Sequence, residues 1–441
     1  MGLADYIKNK VPYWPNSITE ILLKFNCFGG MCYGFAYMAY PKRIVASTPD
    51  EKLISMVNYA IEKVPYYRKR YGSLRIKSRK EFEDKIGFID KDEVMAHWNE
   101  FVADDADMSK CYEETTGGTS GKPMKFLSPK NRYVREMYFW HKLLKRFGWN
   151  YDTVGVIRNH RIGKGRDYMV NPIMKHVIFD GFRTDDEYYR NVWSVIRRKK
   201  IKYLYCYPAA AYSFLKFCFR EGLDTSFIKA CFLTSETVTE YQRSFIQDTL
   251  GIDIVSSYGH SEKLCLAGTV PDHLLLYNIE EEYGLTELIE ESGIVITQKN
   301  QLGEIVGTTF SNYYFPLIRY RTGDYSSYSD ISPACRLLGS IQGRWNKSQI
   351  IKNDGSTVSV TALNLHGDFN DKIRGLQYIQ TRKGYLTALI IRDKGYGDAE
   401  HRFFLEHIAN AMGRDEYVEI QYVDKLVYQP NGKFLPFITY V

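Results

Sequence analysis

The sequence lacks the patterns that mark disulfide-bonded, zinc-binding and secreted proteins. Its eight cysteines include no CxxC pair, and none of them has a histidine nearby at the spacing of zinc ligands. The first fifteen residues mix acidic and basic side chains and show no apolar core before a small-residue cleavage site, as a signal peptide would. We therefore expect reduced thiols and a cytoplasmic location.

Long basic runs and long apolar runs are absent as well. The net charge of +7 comes from 59 basic and 52 acidic residues dispersed along the chain, and no RNP-like or KH-like sequence accompanies them, so we expect no nucleic-acid partner. The uncharged segment 28–40 has about 13 residues, whereas a membrane-spanning helix needs about 20. It predicts a buried helix, with an interfacial helix as the alternative. We expect no transmembrane segment, and peripheral membrane contact stays open.

The chain is longer than one hydrophobic core supports, which predicts at least two domains. Residues 1–110 show apolar side chains at helical spacing. From 111 to about 340, segments suited to strands alternate with helical segments, an order typical of α/β layers. We predict a large N-terminal domain over residues 1–343 that begins with a helical lobe over 1–110, and a small mobile domain over 344–441.

Five short polar motifs occur in order along the chain, at 115–123, 258–262, 319–324, 343–344 and 431–433. The glycines of the first motif let backbone N–H groups approach an anion, and its hydroxyls and lysine can bond phosphate oxygens. It is not a Walker A loop, because Thr116 and Pro123 stand where that motif needs Gly and Ser or Thr. Taken alone, such a loop is more often a plain turn. The candidate phosphate ligands are Thr116, Gly117, Gly118, Thr119, Ser120, Gly121 and Lys122.

Together the motifs resemble those of the adenylate-forming superfamily. The first resembles its phosphate loop, Tyr258–Glu262 its Y-G-x-T-E, Arg321–Asp324 its T-G-D core and Asn431–Lys433 its C-terminal G-K. Residues 316–324 look most like the phenylacetate-CoA ligase branch, including the related CapK proteins of surface-polysaccharide clusters and coenzyme F390 synthetases. The resemblance covers about residues 110–441. It implies an α/β fold with a large layered N-terminal domain and a small α+β C-terminal lid domain.

The resemblance also implies a role for each motif residue. Glu262 would hold Mg²⁺, a hard cation that prefers carboxylate and water. Ser261 would donate its hydroxyl to the α-phosphate of ATP. Asp324 would accept hydrogen bonds from both ribose hydroxyls, because a carboxylate has enough lone pairs for two donors. Adenine contacts would come from the ring of Tyr258 and from the segment Ser235-Glu236.

Lys433 would carry the mechanism. When a substrate carboxylate attacks the α-phosphorus, negative charge accumulates on the equatorial oxygens, and an ammonium group placed there stabilises the transition state. Pyrophosphate leaves and an acyl-adenylate remains, with no protein nucleophile required. Arg344 would reach ribose or phosphate as a fixed cation, with an ion pair at the domain boundary as the alternative.

Two regions depart from the branch's pattern. Asn346 and Lys347 replace the acidic hinge residues, and 353–359 lacks a proline of that region, which puts the CoA step in question although CoA stays a candidate cofactor beside ATP and Mg²⁺. The segment 158–166 is basic where aryl-CoA ligases tend to have glycine and aromatic residues. It is either an exposed loop or a contact for an anionic or polar substrate. The candidate substrate residues are Arg158, His160, Arg161 and Lys164.

We predict an enzyme, an AMP-forming carboxylate ligase that adenylates a small carboxylic acid with MgATP. It would pass the acyl group to an acceptor, which is CoA, a sugar or a lipid-linked sugar, and the resemblance places this reaction in surface-polysaccharide biosynthesis. One alternative is an acyl-CoA or aryl-CoA ligase similar to phenylacetate-CoA ligase. Another, of a different class, is a non-catalytic nucleotide-binding protein.

Overall fold

The computed structural model describes most of the chain and divides it into two compact units. The first unit comprises Met1–Gly29, Trp149–Val255 and Trp345–Val441, and the second comprises Gly30–Gly148 and Ser256–Arg344. The described residues are 10–25, 34–115, 124–158, 160–163, 165–234, 238, 240–271, 273–332, 335–341, 349–363, 372–413, 416–428 and 434–441.

Helices dominate the chain before residue 100. They are α1 (Asn16–Phe25) in the first unit, followed in the second by α2 (Phe35–Ile44), α3 (Pro49–Lys63), α4 (Pro65–Tyr71), α5 (Arg79–Lys85) and α6 (Lys91–Ala96). Local sequence explains where α3 begins. Thr48 accepts a hydrogen bond from the backbone of Glu51, whose side chain bonds back to Thr48, and Pro49 occupies the first turn. The buried face of α3 then packs into the core of the second unit.

The uncharged segment 28–40, which we expected to form a buried helix, is largely exposed where the structure describes it. Its described part, 34–40, enters α2, and only Tyr37 in that part is buried. The hydroxyl group of Tyr37 lies 2.7 Å from Nδ1 of His141. None of the described helices combines the length and hydrophobicity needed to cross a bilayer.

The second unit contains an antiparallel sheet. After a hairpin of β1 (Cys111–Thr115) with β2 (Lys125–Pro129) and helix α7 (Tyr133–Lys145), this sheet has the strand order β11-β12-β13-β14-β10-β9-β8. The strands are β8 (Asp253–Gly259), β9 (Leu266–Val270), β10 (His273–Ile279), β11 (Gly284–Ile289), β12 (Leu302–Thr309), β13 (Tyr320–Ser332) and β14 (Cys335–Leu338). Pairing of β12 with β13 is interrupted by an irregularity between Glu304 and Val306, which alters the register beside residues 321–325.

The first unit contains a mainly parallel sheet with the strand order β7-β6-β3-β5-β4, in which only β4 runs antiparallel to its neighbour. Its strands and helices are β3 (Val154–Arg158), β4 (Tyr168–Asn171), β5 (His176–Asp180), α8 (Asp186–Arg198), β6 (Tyr203–Cys206), α9 (Pro208–Arg220), β7 (Ala230–Leu233) and α10 (Glu240–Arg243). Parallel pairing requires crossover connections, which α8 and α9 supply. The carboxyl ends of β3, β5 and β6 therefore lie at one edge of the sheet.

The C-terminal part of the first unit is a small α+β assembly. A hairpin of β15 (Gln349–Ile351) and β16 (Thr357–Ser359) precedes a four-stranded sheet of order β19-β18-β17-β20. The remaining elements are β17 (Ile373–Arg382), β18 (Tyr385–Arg392), α11 (Asp398–Met412), β19 (Tyr417–Tyr422) and β20 (Phe437–Thr439). The apolar side of α11 packs on β17 and β18 to form its own core.

Candidate active site

Asp324 and Tyr258 form one half of the candidate site in the second unit. The hydroxyl of Tyr258, on β8, donates a 2.9 Å hydrogen bond to Oδ2 of Asp324, on β13. Burial of this hydroxyl and the charge of Asp324 raise the pKa of Tyr258 well above its ordinary value, so the phenol stays protonated as the donor. The bond fixes the rotamer of the carboxylate that the motifs assign to ribose.

The turn before Asp324 is held by the neighbouring strand. Gly323 has φ +73°, a left-handed conformation that favours glycine, and its N–H donates to Oε1 of Glu304 at 2.9 Å. Thr322 donates its hydroxyl to the Ile305 carbonyl at 2.7 Å, and the Asp324 N–H donates to the Thr322 hydroxyl oxygen at 3.1 Å. These bonds are local to β12 and β13, so the position of Asp324 does not depend on a bound nucleotide.

Glu262 is the other half of the site. It follows β8 by three residues and is only 7% exposed. Its Oε1 accepts a 3.2 Å hydrogen bond from the hydroxyl of Tyr320, and its Oε2 lies 3.5 Å from Nδ1 of His260. Burial alone would raise the pKa of Glu262, but His260 and Tyr320 outweigh burial and hold this pKa below its usual range. Glu262 is therefore a buried carboxylate that stays ionised.

The charge on His260 completes this arrangement. Burial lowers the pKa of His260, but Cys265 and the carboxylate of Glu262 outweigh it and raise the pKa above its ordinary value. Protonation of His260 would place a positive charge 3.5 Å from the buried carboxylate of Glu262. Ser261, between the two, is exposed at the turn and free of β-sheet pairing.

Glu262 has the chemistry that Mg²⁺ requires, a hard ionised oxygen ligand. Among the described residues no group of three or more His, Cys, Asp or Glu side chains is close enough to hold a metal ion together. A Mg²⁺ ion at Glu262 would therefore take its remaining ligands from water and phosphate oxygens, which is the usual arrangement for Mg²⁺ in nucleotide sites.

A second polar cluster lies in the first unit, at the carboxyl end of β3. The guanidinium of Arg158 lies over the rings of Tyr205 and Tyr207, at 4.4 Å and 4.9 Å from the ring centroids. Burial and the charge of Arg158 lower the pKa of His160, and burial, helped by the charges of His160 and Arg158, lowers the pKa of His176 to about 4. Arg158 is thus a permanent cation over two aromatic rings, and the neutral form of the nearby His160 is favoured.

This cluster contains two of the four candidate substrate residues. Arg158 and His160 belong to it, and Nδ1 of His160 is buried with no hydrogen-bond partner among the described residues. Arg161 instead is exposed and stacks on Phe182 at 3.9 Å. Lys164 lies outside the described residues.

Several other predicted residues also lie outside the described part of the chain. They are Thr116, Gly117, Gly118, Thr119, Ser120, Gly121, Lys122, Ser235, Glu236, Arg344 and Lys433. Their roles stay predictions.

Sequence reasoning missed His260, Tyr320 and Glu304 as supports of the site. A signal for Tyr320 was present, because successive side chains alternate along a strand and Tyr320 shares the spacing of Thr322 and Asp324. No comparable signal marks Tyr205 and Tyr207, since 36 tyrosines are spread through the sequence.

The CapK C-terminal domain family matches residues 346–439. No curated protein shows significant sequence similarity to the chain. A solved 2-hydroxyisobutyryl-CoA ligase in the postadenylation state, in complex with R3-HIB-AMP, is similar in fold with a TM-score of 0.65, 15% identity and 88% of each chain covered.

An acyl acid amido synthetase is similar in fold as well. The GH3.15 acyl acid amido synthetase in complex with 2,4-DB has a TM-score of 0.58 and 14% identity, with 87% of this chain and 86% of that chain covered. Identities this low establish a common fold. The predicted α/β class with a smaller α+β C-terminal part is confirmed, and so is the predicted resemblance: the chain has the fold of the adenylate-forming enzymes, and its C-terminal segment matches the CapK family.

Proposed function

We propose that this protein adenylates a carboxylic acid with MgATP, releases pyrophosphate and passes the acyl group to an acceptor. The observation that carries the proposal is the presence of two preorganised carboxylates, Asp324 and Glu262, in an adenylate-forming fold. Asp324 is oriented by the 2.9 Å bond from Tyr258, and Glu262 is buried, ionised and held by Tyr320. Both stand in motifs that resemble those the superfamily uses for nucleotide and metal.

Asp324 can serve ribose while Tyr258 stays bonded to it. A carboxylate has about four lone-pair sites, and Tyr258 uses one of those on Oδ2. The other lone-pair sites can accept hydrogen bonds from the two ribose hydroxyls. Tyr258 is only partly buried, and its ring would stack on adenine.

Charge compensation on the phosphates would come from several parts of the chain. Mg²⁺ bound at Glu262 would neutralise phosphate charge. The loop 116–122 would supply backbone N–H groups and hydroxyls, and the exposed Ser261 would donate to the α-phosphate. Lys433 would stabilise the charge that builds on the α-phosphate, and Arg344 would contact ribose or phosphate. Ser235 and Glu236 would contact adenine.

The test is ATP–pyrophosphate exchange screened against amino, hydroxy, fatty and aryl acids. Asp324→Asn should raise the KM for ATP about tenfold or more, because it weakens charge-assisted bonds to ribose. Asp330→Asn is a matched control, since Asp330 lies on the same strand but forms an exposed pair with Lys299. Lys433→Ala should abolish exchange. Absence of exchange across the whole library, with ATP still bound, would favour the non-catalytic nucleotide-binding alternative.

The Arg158 cluster favours an acid that carries a second polar or anionic group, such as a hydroxy or amino acid. Arg158 offers a permanent positive charge, and His160 offers a buried Nδ1 atom that has no hydrogen-bond partner among the described residues. Both groups interact better with a polar substituent than with an alkyl chain. Arg158→Gln should raise the KM for such acids about tenfold and leave that of alkyl acids near the native value. Arg161→Gln is the control. Equal effects of Arg158→Gln on both kinds of acid would contradict this substrate class.

The acceptor is proposed from the CapK match over residues 346–439. We propose a sugar or lipid-linked sugar hydroxyl, and hence a role in surface-polysaccharide biosynthesis. The structural relatives, a CoA ligase and an amido synthetase, suggest the alternatives, a CoA thiol and an amine. AMP release should be measured with the acid and ATP in the presence and absence of CoA. If CoA accelerates AMP release, the acyl-CoA ligase alternative replaces the sugar acceptor.

A further inference from the structure

Helix α1 is amphipathic with the usual orientation reversed. Its polar side chains Asn16, Thr19 and Glu20 face the rest of the first unit, and Thr19 is fully buried. The opposite face carries apolar residues at the i, i+3, i+4 spacing of one helix side. That face comprises Ile18, Ile21 and Leu22, which are 46%, 55% and 39% exposed. Soluble proteins normally bury such a stripe.

Specific bonds fix this orientation. The carboxylate of Glu20 pairs with Nζ of Lys199 at 2.8 Å and accepts a 2.6 Å hydrogen bond from the hydroxyl of Tyr168. The side-chain amide of Asn16 donates to the Tyr168 carbonyl at 3.0 Å. Rolling α1 to bury its apolar face would break an ion pair and two hydrogen bonds, so the apolar face stays outward.

Two exposed aromatic residues lie just before α1 in the sequence. Tyr13 and Trp14 precede α1, and the guanidinium of Arg166 bonds to both of their carbonyls, which holds the segment in place. Tyrosine and tryptophan are the residues enriched where protein meets the headgroup region of a bilayer, since their rings are apolar and their N–H or O–H groups remain hydrated.

A basic segment lies beside α1. Residues 197–202 read RRKKIK, and Lys199 within them is the partner of Glu20. The 2.8 Å pair of Lys199 with Glu20 places this lysine next to the helix, and Arg198 and Lys200 adjoin it in sequence. The exposed cations of the segment are Arg197, Arg198, Lys200 and Lys202. Clusters of this kind attract anionic lipid headgroups.

We propose that Tyr13, Trp14, the apolar face of α1 and the basic segment form a surface that binds anionic lipid bilayers. Charge favours this occupant over a second copy of the chain. A symmetric dimer seam would bring the basic segment near its own copy, and a stable seam buries about 800 Å² per partner, from roughly 20–30 residues, several times the number on this face. This surface is independent of the proposed adenylation chemistry.

Vesicle co-sedimentation tests the proposal with the full chain. Vesicles of phosphatidylcholine alone are compared with vesicles in which about a third of the lipid is phosphatidylglycerol, an anionic lipid whose negative surface potential attracts basic segments. The full chain should partition at least about tenfold more strongly to the anionic vesicles. Ile18→Ser/Ile21→Ser should lower that partitioning about tenfold or more, because apolar area no longer enters the interface.

A matched control separates this surface from general exposed hydrophobicity. Ile294→Ser removes an isoleucine that is 61% exposed on the second unit and should leave partitioning unchanged. Lys200→Gln/Lys202→Gln should weaken binding about fivefold or more, as should raising the salt from about 0.1 M to about 1 M, which shortens the Debye length from ~10 Å to ~3 Å. Circular dichroism of each variant confirms that it is folded.

Three results would overturn the proposal. The first is that the native chain does not sediment with anionic vesicles. The second is that the folded Ile18→Ser/Ile21→Ser variant sediments with them as strongly as the native chain does. The third is that the native chain is a dimer in solution and that this variant is a monomer. The last result would assign the face to a second copy of the chain.

Discussion

The buried ion pair that supports the Asp324 strand gives a sharp test of how the site is held. Arg319 is 3% exposed and Glu287 is 1% exposed, and the guanidinium bonds both carboxylate oxygens at 3.2 Å and 2.9 Å. The same guanidinium donates to the carbonyls of Glu83 and Ile86 at 3.1 Å and 2.7 Å. One side chain therefore joins β11, α5 and the start of β13.

Arg319→Met should destabilise the second unit by about 3–5 kcal/mol. The change leaves Glu287 buried without its counter-charge, and breaking a buried pair from one side costs that much. Burial raises the pKa of Glu287 while Arg319 opposes the rise, so without Arg319 the carboxyl takes up a proton more readily. A folded-state pKa above the unfolded value favours folding as pH falls. The loss in the free energy of unfolding caused by Arg319→Met should therefore be smaller at pH near 5 than at pH near 8.

The free energy of opening the region around β13 is measured by native-state hydrogen exchange of the β13 amides. This method applies even if the chain does not unfold in one step. Arg68→Met is the control, because the 2.6 Å pair of Arg68 with Asp104 is half exposed and should cost less than about 1 kcal/mol. Arg319→Met/Glu287→Met should recover most of the loss. The reasoning would be refuted if Arg319→Met and Arg68→Met lowered the stability equally, or if the double variant were no more stable than Arg319→Met.

Three further changes test individual contacts. Tyr320→Phe removes the donor to Oε1 of Glu262 and should weaken MgATP binding about fivefold, measured by calorimetry, which corresponds to about 1 kcal/mol. Gly268→Ala would place a Cβ 2.4 Å from a leucine methyl group and should cost about 1–3 kcal/mol in urea denaturation, whereas Gly163→Ala, with open space around it, should change stability by less than about 0.5 kcal/mol. His176 has a pKa of about 4, so the unfolded chain binds its proton more readily, and stability should fall by about 3 kcal/mol as pH drops from about 6.5 to about 4; His176→Gln should flatten that profile.

The chemistry of the nucleotide half of the site could be predicted from short motifs, but its assembly could not. The motifs identified Tyr258, Asp324 and Glu262 as separate ligands. They did not show that Tyr258 donates to Asp324, 66 residues further along the chain, because strand pairing between β8 and the sheet around β13 is not encoded in either motif. His260 stood in the motif and was given no role. Its charge becomes meaningful only when the burial of Glu262 is known.

The α/β class was predictable because alternation of strand-like and helical segments is a local property, and the structure bears it out. The orientation of α1 was not predictable in the same way. Spacing of Ile18, Ile21 and Leu22 indicates an apolar helix face, and such faces normally point inward. The outward orientation depends on Glu20 and its bond to Lys199, which lies 179 residues away in sequence. A periodic pattern indicates that a face exists, and long-range ion pairs decide where it points.

The proposed acyl transfer and the proposed membrane binding together bear on the choice of acceptor. A soluble thiol or amine reaches the acyl-adenylate at a rate set by its bulk concentration, and membrane binding gives no advantage. An acceptor anchored in a bilayer is different, because binding of α1 to the same bilayer confines both reactants to one surface and raises their effective concentration. Acyl transfer to a vesicle-embedded acceptor should then fall in Ile18→Ser/Ile21→Ser by the factor lost in vesicle binding. ATP–pyrophosphate exchange with the soluble acid should stay unchanged, because it needs neither the acceptor nor the membrane. A parallel loss of exchange would mean that the face supports the fold of the enzyme, and equal transfer by both proteins would favour a soluble acceptor.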